Sequence, residues 1–99
     1  MAKRPLYLGP MKGFYTHSNF QDFVQKDLSQ KLDEMGLPSR CNPEETNTVT
    51  TFHFPQAGIG LEYRIINPYR CVVQLLGNRE DHMEAITLFI VQKDSDYTL

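Results

Sequence analysis

The chain is expected to be an α+β domain, with one amphipathic helix packed on a four- to five-stranded antiparallel sheet in the order β-α-β-β-β-β. Three observations carry this expectation. Apolar residues recur at three- and four-residue spacing in a single place, from Phe20 to Met35. The sequence after it is rich in Thr, Val, Ile, Phe and Tyr, residues that favour strands. The breaks between these extended runs are short Gly, Pro and Asn turns, which make successive strands antiparallel neighbours.

Leu6 to Leu8 and Met11 to Tyr15 supply a first strand. Pro5, Gly9, Pro10 and Gly13 interrupt it and place it at a sheet edge. The helix is expected from Asn19 to Met35, opened by Ser18 with Gln21 three residues on, a capping-box pair. Phe20, Phe23, Val24, Leu28, Leu32 and Met35 form its apolar stripe. Asp22 before Lys26 and Asp27 before Lys31 add acid-first pairs on the far face. Gly36, followed by Leu37 and Pro38, ends it, because glycine accepts the left-handed conformation and proline cannot continue the ladder.

Pro38 to Glu45 is expected to be a loop and Thr46 to Phe54 a strand, followed by a turn at Pro55 to Gly58. Ile59 to Ile66 alternates with period two and reads as a half-buried strand, broken by Asn67, Pro68 and Tyr69. Arg70 to Leu76 is the next strand, stopped by Gly77 and Asn78. Met83 to Lys93 is read as a fourth one, with Ile86, Leu88 and Ile90 sharing a face. Asp94 to Leu99 reads as a loose tail of a single domain spanning 1–99. The helix stripe then lies on Phe52, Phe54, Leu61, Tyr63, Ile65, Cys71, Val73, Leu75, Ile86, Leu88 and Ile90. The element order is similar in topology to cystatin-like one-helix sheets, without a QxVxG or tryptophan hairpin motif.

Composition narrows the function classes. With 40% hydrophobic and 22% charged residues, the chain of 99 residues is composed like an ordinary globular domain. A formal charge of −2 leaves no cationic excess for phosphates, so nucleic-acid binding is not expected. Neither a signal-peptide core nor an apolar run near ~18 residues occurs, so no membrane association is expected. Cys41 and Cys71 are read as free thiols in a reducing, cytoplasmic setting.

One helix covers one sheet face, so the other face of an isolated domain is polar at alternate positions. Here that face is expected to carry Val49, Ile66, Val72, Leu76, Ala85, Phe89 and Val91 among Thr51, His53, Glu62, Arg64, Arg70, Gln74 and Thr87. An apolar excess of this kind marks a protein contact, unless a loop of the same chain covers it or a bulge reverses the last strand. Val49, Ile66, Val72, Leu76, Phe89 and Val91 are therefore the candidate partner-binding residues.

The side chains able to do chemistry are dispersed. His17, His53 and His82 form no HxH or HExxH pair, and Asp81, His82 and Glu84 read as a solvated turn rather than a metal site, so no cofactor is expected. Cys71 on the core face is expected to be inert. Cys41, beside Arg40 in a loop, is expected to be exposed with a slightly lowered pKa. The glycines of Gln56 to Gly60 join two strands and open no helix, so they cradle no phosphate. Tyr63, Arg64, Tyr69 and Arg70 could stack and clamp single-stranded bases, but the acidic charge opposes it.

The expectation is a non-enzymatic protein-interaction module, a small regulator or inhibitor acting through an apolar sheet face as a homodimer or in a larger complex. The alternative is a small-molecule-binding or catalytic domain with a pocket between helix and sheet, using Tyr63 or His53.

Overall fold

The structure is a computed structural model that describes residues 4–77 and 80–98. Strand β1 (Arg4–Met11) leads into a helix, α1, built of three consecutive stretches: α-helical His17–Asp22, π-helical Phe23–Leu28 and α-helical Ser29–Glu34. Strands β2 (Asn42–Glu45), β3 (Thr50–Phe54), β4 (Ile59–Asn67) and β5 (Arg70–Gly77) follow, and a second helix, α2 (Glu80–Tyr97), closes the chain. The five strands form one antiparallel sheet in the order β1-β5-β4-β3-β2. The α+β class, the helix on an antiparallel sheet and the β-α-β-β-β-β order are thus present, with a helix added at the end.

Helix α1 starts two residues earlier than expected, at His17 rather than Asn19. Thr16, not Ser18, is the N-cap: its hydroxyl accepts from the Asn19 amide at 3.2 Å. The π-helical middle follows from the spacing of the stripe. Phe20, Val24, Leu28 and Leu32 recur every four residues, and on a 3.6-residue helix that spacing turns each successive side chain by about 40°. The wider π turn absorbs this drift, and all four are buried. The Val24 carbonyl accepts from both the amide and the hydroxyl of Ser29. The helix ends as expected at Gly36, at φ +74°, where Leu37 N donates to Leu32 O at 2.9 Å and Gly36 N to Asp33 O at 3.0 Å.

The Met83 to Lys93 segment is not a strand; it lies inside α2. Met83, Ile86 and Ile90 are buried at helical spacing, whereas Leu88, expected in the core, is 65% exposed on the outer stripe. Asp94 to Tyr97 form the last turn of this helix rather than a loose tail. Leu99 lies outside the described residues. Strand β2 occupies the expected Pro38 to Glu45 loop, and Thr46 to Val49, expected to be strand, is a tight turn in which Thr46 N donates to Val49 O at 2.8 Å.

Both helices cover the same sheet face, α1 over β3 and β4, α2 over β5 and β1. Phe14, Phe20, Phe23, Phe52, Phe54, Leu61, Tyr63, Val73, Leu75, Ile86 and Ile90 join in a single core. Phe89 packs between the helices: its ring lies 5.9 Å from that of Phe23, with the ammonium groups of Lys31 and Lys93 at 5.6 and 5.7 Å. The Asp94 carboxylate ties α2 to the β1–α1 turn, accepting from the amides of Lys12 (3.2 Å), Gly13 (2.7 Å) and Phe14 (3.1 Å). A Cβ at residue 13 would collide with the Asp94 carbonyl, so only glycine fits there. Both sheet edges carry proline, Pro5 and Pro10 in β1 and Pro43 in β2, and β2 adds Glu44 and Glu45, which together deter strand addition.

Candidate functional site

The apolar excess expected on the second sheet face is smaller than the sequence suggests. Phe89 and Val91, like Ala85 and Thr87, belong to α2, and Val49 lies in the turn before β3, so five of the residues assigned to that face are not in the sheet. Phe89 is turned into the interhelical core and Val91 lies on the outer side of α2. Val72 and Leu76 do lie on the uncovered face, half-buried among their neighbours in β1 and β4. Their rows read Arg64, Val72, Pro10 and His53, Gly60, Leu76, Pro5, with Thr51, Glu62, Gln74 and Tyr7 between them. This mixed surface is the ordinary solvent side of an antiparallel sheet.

Exposed apolar side chains gather instead where β4 and β5 turn. The two strands run past the start of α1, whose His17 ring sits over Tyr63 at 5.6 Å. Ile65, the next core-side position, is expected in the core but lies beyond the helix and is 48% exposed. The register shifts between Ile65 and Asn67, and the bulged Ile66 is 54% exposed. Asn67 accepts from the Tyr69 amide at 2.8 Å, an Asx turn that holds Tyr69 outward at 76% exposure. Cations surround this tip. Arg70 opens β5 directly after the turn, and the register that sets Met11 against Cys71 brings Lys12 beside it. Among the described residues no carboxylate pairs with the side chains of Lys12, Arg64 or Arg70.

Next to the tip a groove of about 630 Å³ opens between the start of α1 and the sheet. His17, Glu45, the Thr46 to Thr50 segment, Tyr63, Arg64 and Ile65 line it. Glu45 is engaged by His17 at 3.8 Å and by the Thr50 hydroxyl at 3.5 Å. Tyr63, 2% exposed, stacks on Phe20 at 4.6 Å, and its hydroxyl has no hydrogen-bond partner among the described residues. Burial, and secondarily the Cys71 sulfur, push its pKa well above the phenol's ordinary value, so it is a neutral donor.

Of the six candidate partner-binding residues, the structure thus brings Ile66 and Val49 to this end, at the tip and in the groove. Val72 and Leu76 remain on the open face, and Phe89 and Val91 on α2. Ile65, Tyr69 and Lys12 were not singled out for partner binding. The Asn-Pro-Tyr-Arg turn between two hydrophobic strands was the available signal for the first two.

His53 does not reach the groove: on the open face its Nε2 lies 3.2 Å from Glu44. His82, with Asp81, is in the first turn of α2 and not in a solvated loop. Cys41 is half-buried rather than exposed, and burial pushes its thiol up rather than down. Cys71 is buried, donates to the Phe14 carbonyl at 3.1 Å, and is pushed up to about 12 by burial and by the nearby Asp94 carboxylate. No helix is long and apolar enough to cross a membrane among the described residues. Compared with protein-family models, curated proteins and solved structures, the chain returns no match.

Proposed function

We propose that the chain is a non-enzymatic docking module whose β4–β5 hairpin end holds a protein segment carrying aliphatic or aromatic side chains beside carboxylates. The observation that supports this most strongly is the exposure of Ile65, Ile66 and Tyr69 in one short turn fixed by an Asx bond and a bulge. An apolar turn held by local hydrogen bonding loses less entropy on binding than a free loop, and apolar side chains beside arginine and lysine match the composition of an interface core and rim. Lys12 and Arg70 set the sign of the partner, because acidic groups facing them form charge-assisted hydrogen bonds.

The same charge argues against self-association at this end. A two-fold dimer would place Arg70 and Lys12 near their own copies, a like-charge contact. The two sheet edges, with their prolines, offer no better route. The reading is therefore a complex with a different protein, and a domain this small acts on it by occupying its surface, which is how a regulator or inhibitor works.

The test is selection of peptides from a displayed random library on the immobilised protein. Recovered sequences should be enriched in Asp and Glu beside Leu, Ile, Phe or Trp, and the paired variant Ile66→Ser with Tyr69→Ser should recover none of them. Basic consensus sequences, or the same peptides on the variant, would refute the proposal.

A further inference from the structure

Between the β2–β3 and β4–β5 hairpins one stretch of inner sheet edge is left open. The β3–β4 ladder ends at Thr50 opposite Tyr63, whereas β4 runs on to Asn67. Residues 64–67 thus have β5 on one side and no strand on the other. Val49, next in line to pair, gives both backbone groups to Thr46. Its carbonyl accepts from the Thr46 amide at 2.8 Å and from the Thr46 hydroxyl at 3.1 Å, and its amide donates to that hydroxyl at 3.2 Å. Successive residues of a strand present their backbone groups to alternate sides, so Val49 turned towards β2 sets Thr50 towards β4, and Tyr63 towards Thr50. Two residues beyond Tyr63, Ile65 presents its amide and carbonyl to the empty side.

No proline interrupts residues 64–67, unlike the outer strands β1 and β2, whose prolines deter an added strand. The groove that Arg64 and Ile65 help to line lies along this edge. An extended segment entering it meets both sheet faces, because its side chains alternate. The residue opposite Ile65 falls on the helix side, against an isoleucine that is 48% exposed. In an antiparallel pairing, as in every other pair of this sheet, the residue after it falls opposite Arg64 on the open face. A carboxylate there gives the guanidinium the partner it lacks among the described residues. We infer, on the footing of the docking proposed above, that the open edge of β4 receives the partner's segment as an added antiparallel strand. An aliphatic or aromatic residue lies opposite Ile65 and is followed directly by Asp or Glu opposite Arg64.

Nuclear magnetic resonance titration of the full chain with the end-blocked peptide Ser-Glu-Leu-Glu-Phe-Glu-Ser tests this, beside one form N-methylated on leucine and phenylalanine and another N-methylated on the three glutamates. The first form should bind about tenfold more weakly or worse, because it lacks the amide that faces Ile65, and the second should stay within about threefold of the parent, because its methyl groups point away from β4. The saturating parent peptide should slow hydrogen exchange at the Ile65 amide by about fivefold or more. Arg64→Gln, with α2 amide shifts unchanged, should weaken the parent by about threefold. Full affinity of the first form, an equal or greater loss in the second, an unchanged Ile65 amide, or full affinity in Arg64→Gln would overturn strand addition. Any of these alongside shifts at residues 65–70 leaves hairpin docking standing, whereas no response to the parent peptide overturns both.

Discussion

Replacing Asp94 with alanine should loosen the whole domain, although the residue stands near the end of the chain. Its carboxylate accepts three backbone amides, from Lys12, Gly13 and Phe14, and so joins α2 to the turn between β1 and α1. Hydrogen bonds to a charged group contribute about 1.5–3 kcal/mol each, and those here share one acceptor group and include an exposed amide. A total of about 2–4 kcal/mol is therefore expected, less about 0.5 kcal/mol for the better helix propensity of alanine. For a domain of this length that lowers the melting temperature by about 10–25 °C. Asp94→Asn keeps an acceptor oxygen but not the charge, and should lose about half as much. Urea unfolding followed by circular dichroism measures both. A loss below about 1 kcal/mol for Asp94→Ala, or equal losses for the two variants, would refute the reasoning.

Other expectations concern α2 and the buried ionisable groups. Leu88→Asp should change stability by less than about 1 kcal/mol, whereas Ile90→Asp, two residues on, should abolish folding, as judged by thermal melts. Loss of folding in both variants would restore the strand assignment for this segment, in which Leu88 and Ile90 share the core face. Stability should fall as pH rises from about 9 towards 12, because Cys71 and Tyr97 are both held protonated by the fold. Cys71 is raised from 9.0 to about 12, chiefly by burial. Tyr97 is raised from 10.0 to about 12 by burial and by donating to Asp27 at 3.0 Å. The unfolded chain loses these protons first, so their contribution is complete below the ordinary values and is lost through the folded ones. A urea midpoint unchanged between about pH 8 and about pH 11 would contradict this. At pH 8 a thiol reagent should modify Cys41, slowly, and leave Cys71 untouched until the protein unfolds.

The first helix was legible because its signals agreed: a periodic stripe, acid-first pairs and a glycine stop. The cap was misplaced by two residues, since Thr16 and Ser18 are both competent and only the path of the chain chooses between them. In α2, Ile86 and Ile90 are four apart, a spacing that suits both a strand and a helix. Leu88 on the same face as both fits only the strand, whereas Phe89 and Met83 packed beside them fit only the helix. Glu80, Asp81 and Glu84, acidic residues at a helix start, and an 18-residue length were the overlooked evidence. Asn42 to Glu45 has poor strand propensity and is held by its pairing with β3, which no local pattern announces. The site followed the same logic. The misread strand placed Phe89 and Val91 on a sheet face, and moving them to a helix left Ile65, Ile66 and Tyr69 at the β4–β5 turn, with Leu6 and Tyr7 of β1, as the exposed apolar side chains of the sheet.

The most direct test of the docking account is an amide-resolved titration with a short peptide carrying leucine and phenylalanine between glutamates, beside a control in which lysine replaces each glutamate. The account predicts that the acidic peptide alone shifts the amides of Lys12 and of residues 65–70, and that Tyr69→Ser removes the effect. Shifts centred on Val72 and Leu76 in the open sheet face, or an equal response to the lysine peptide, would contradict it.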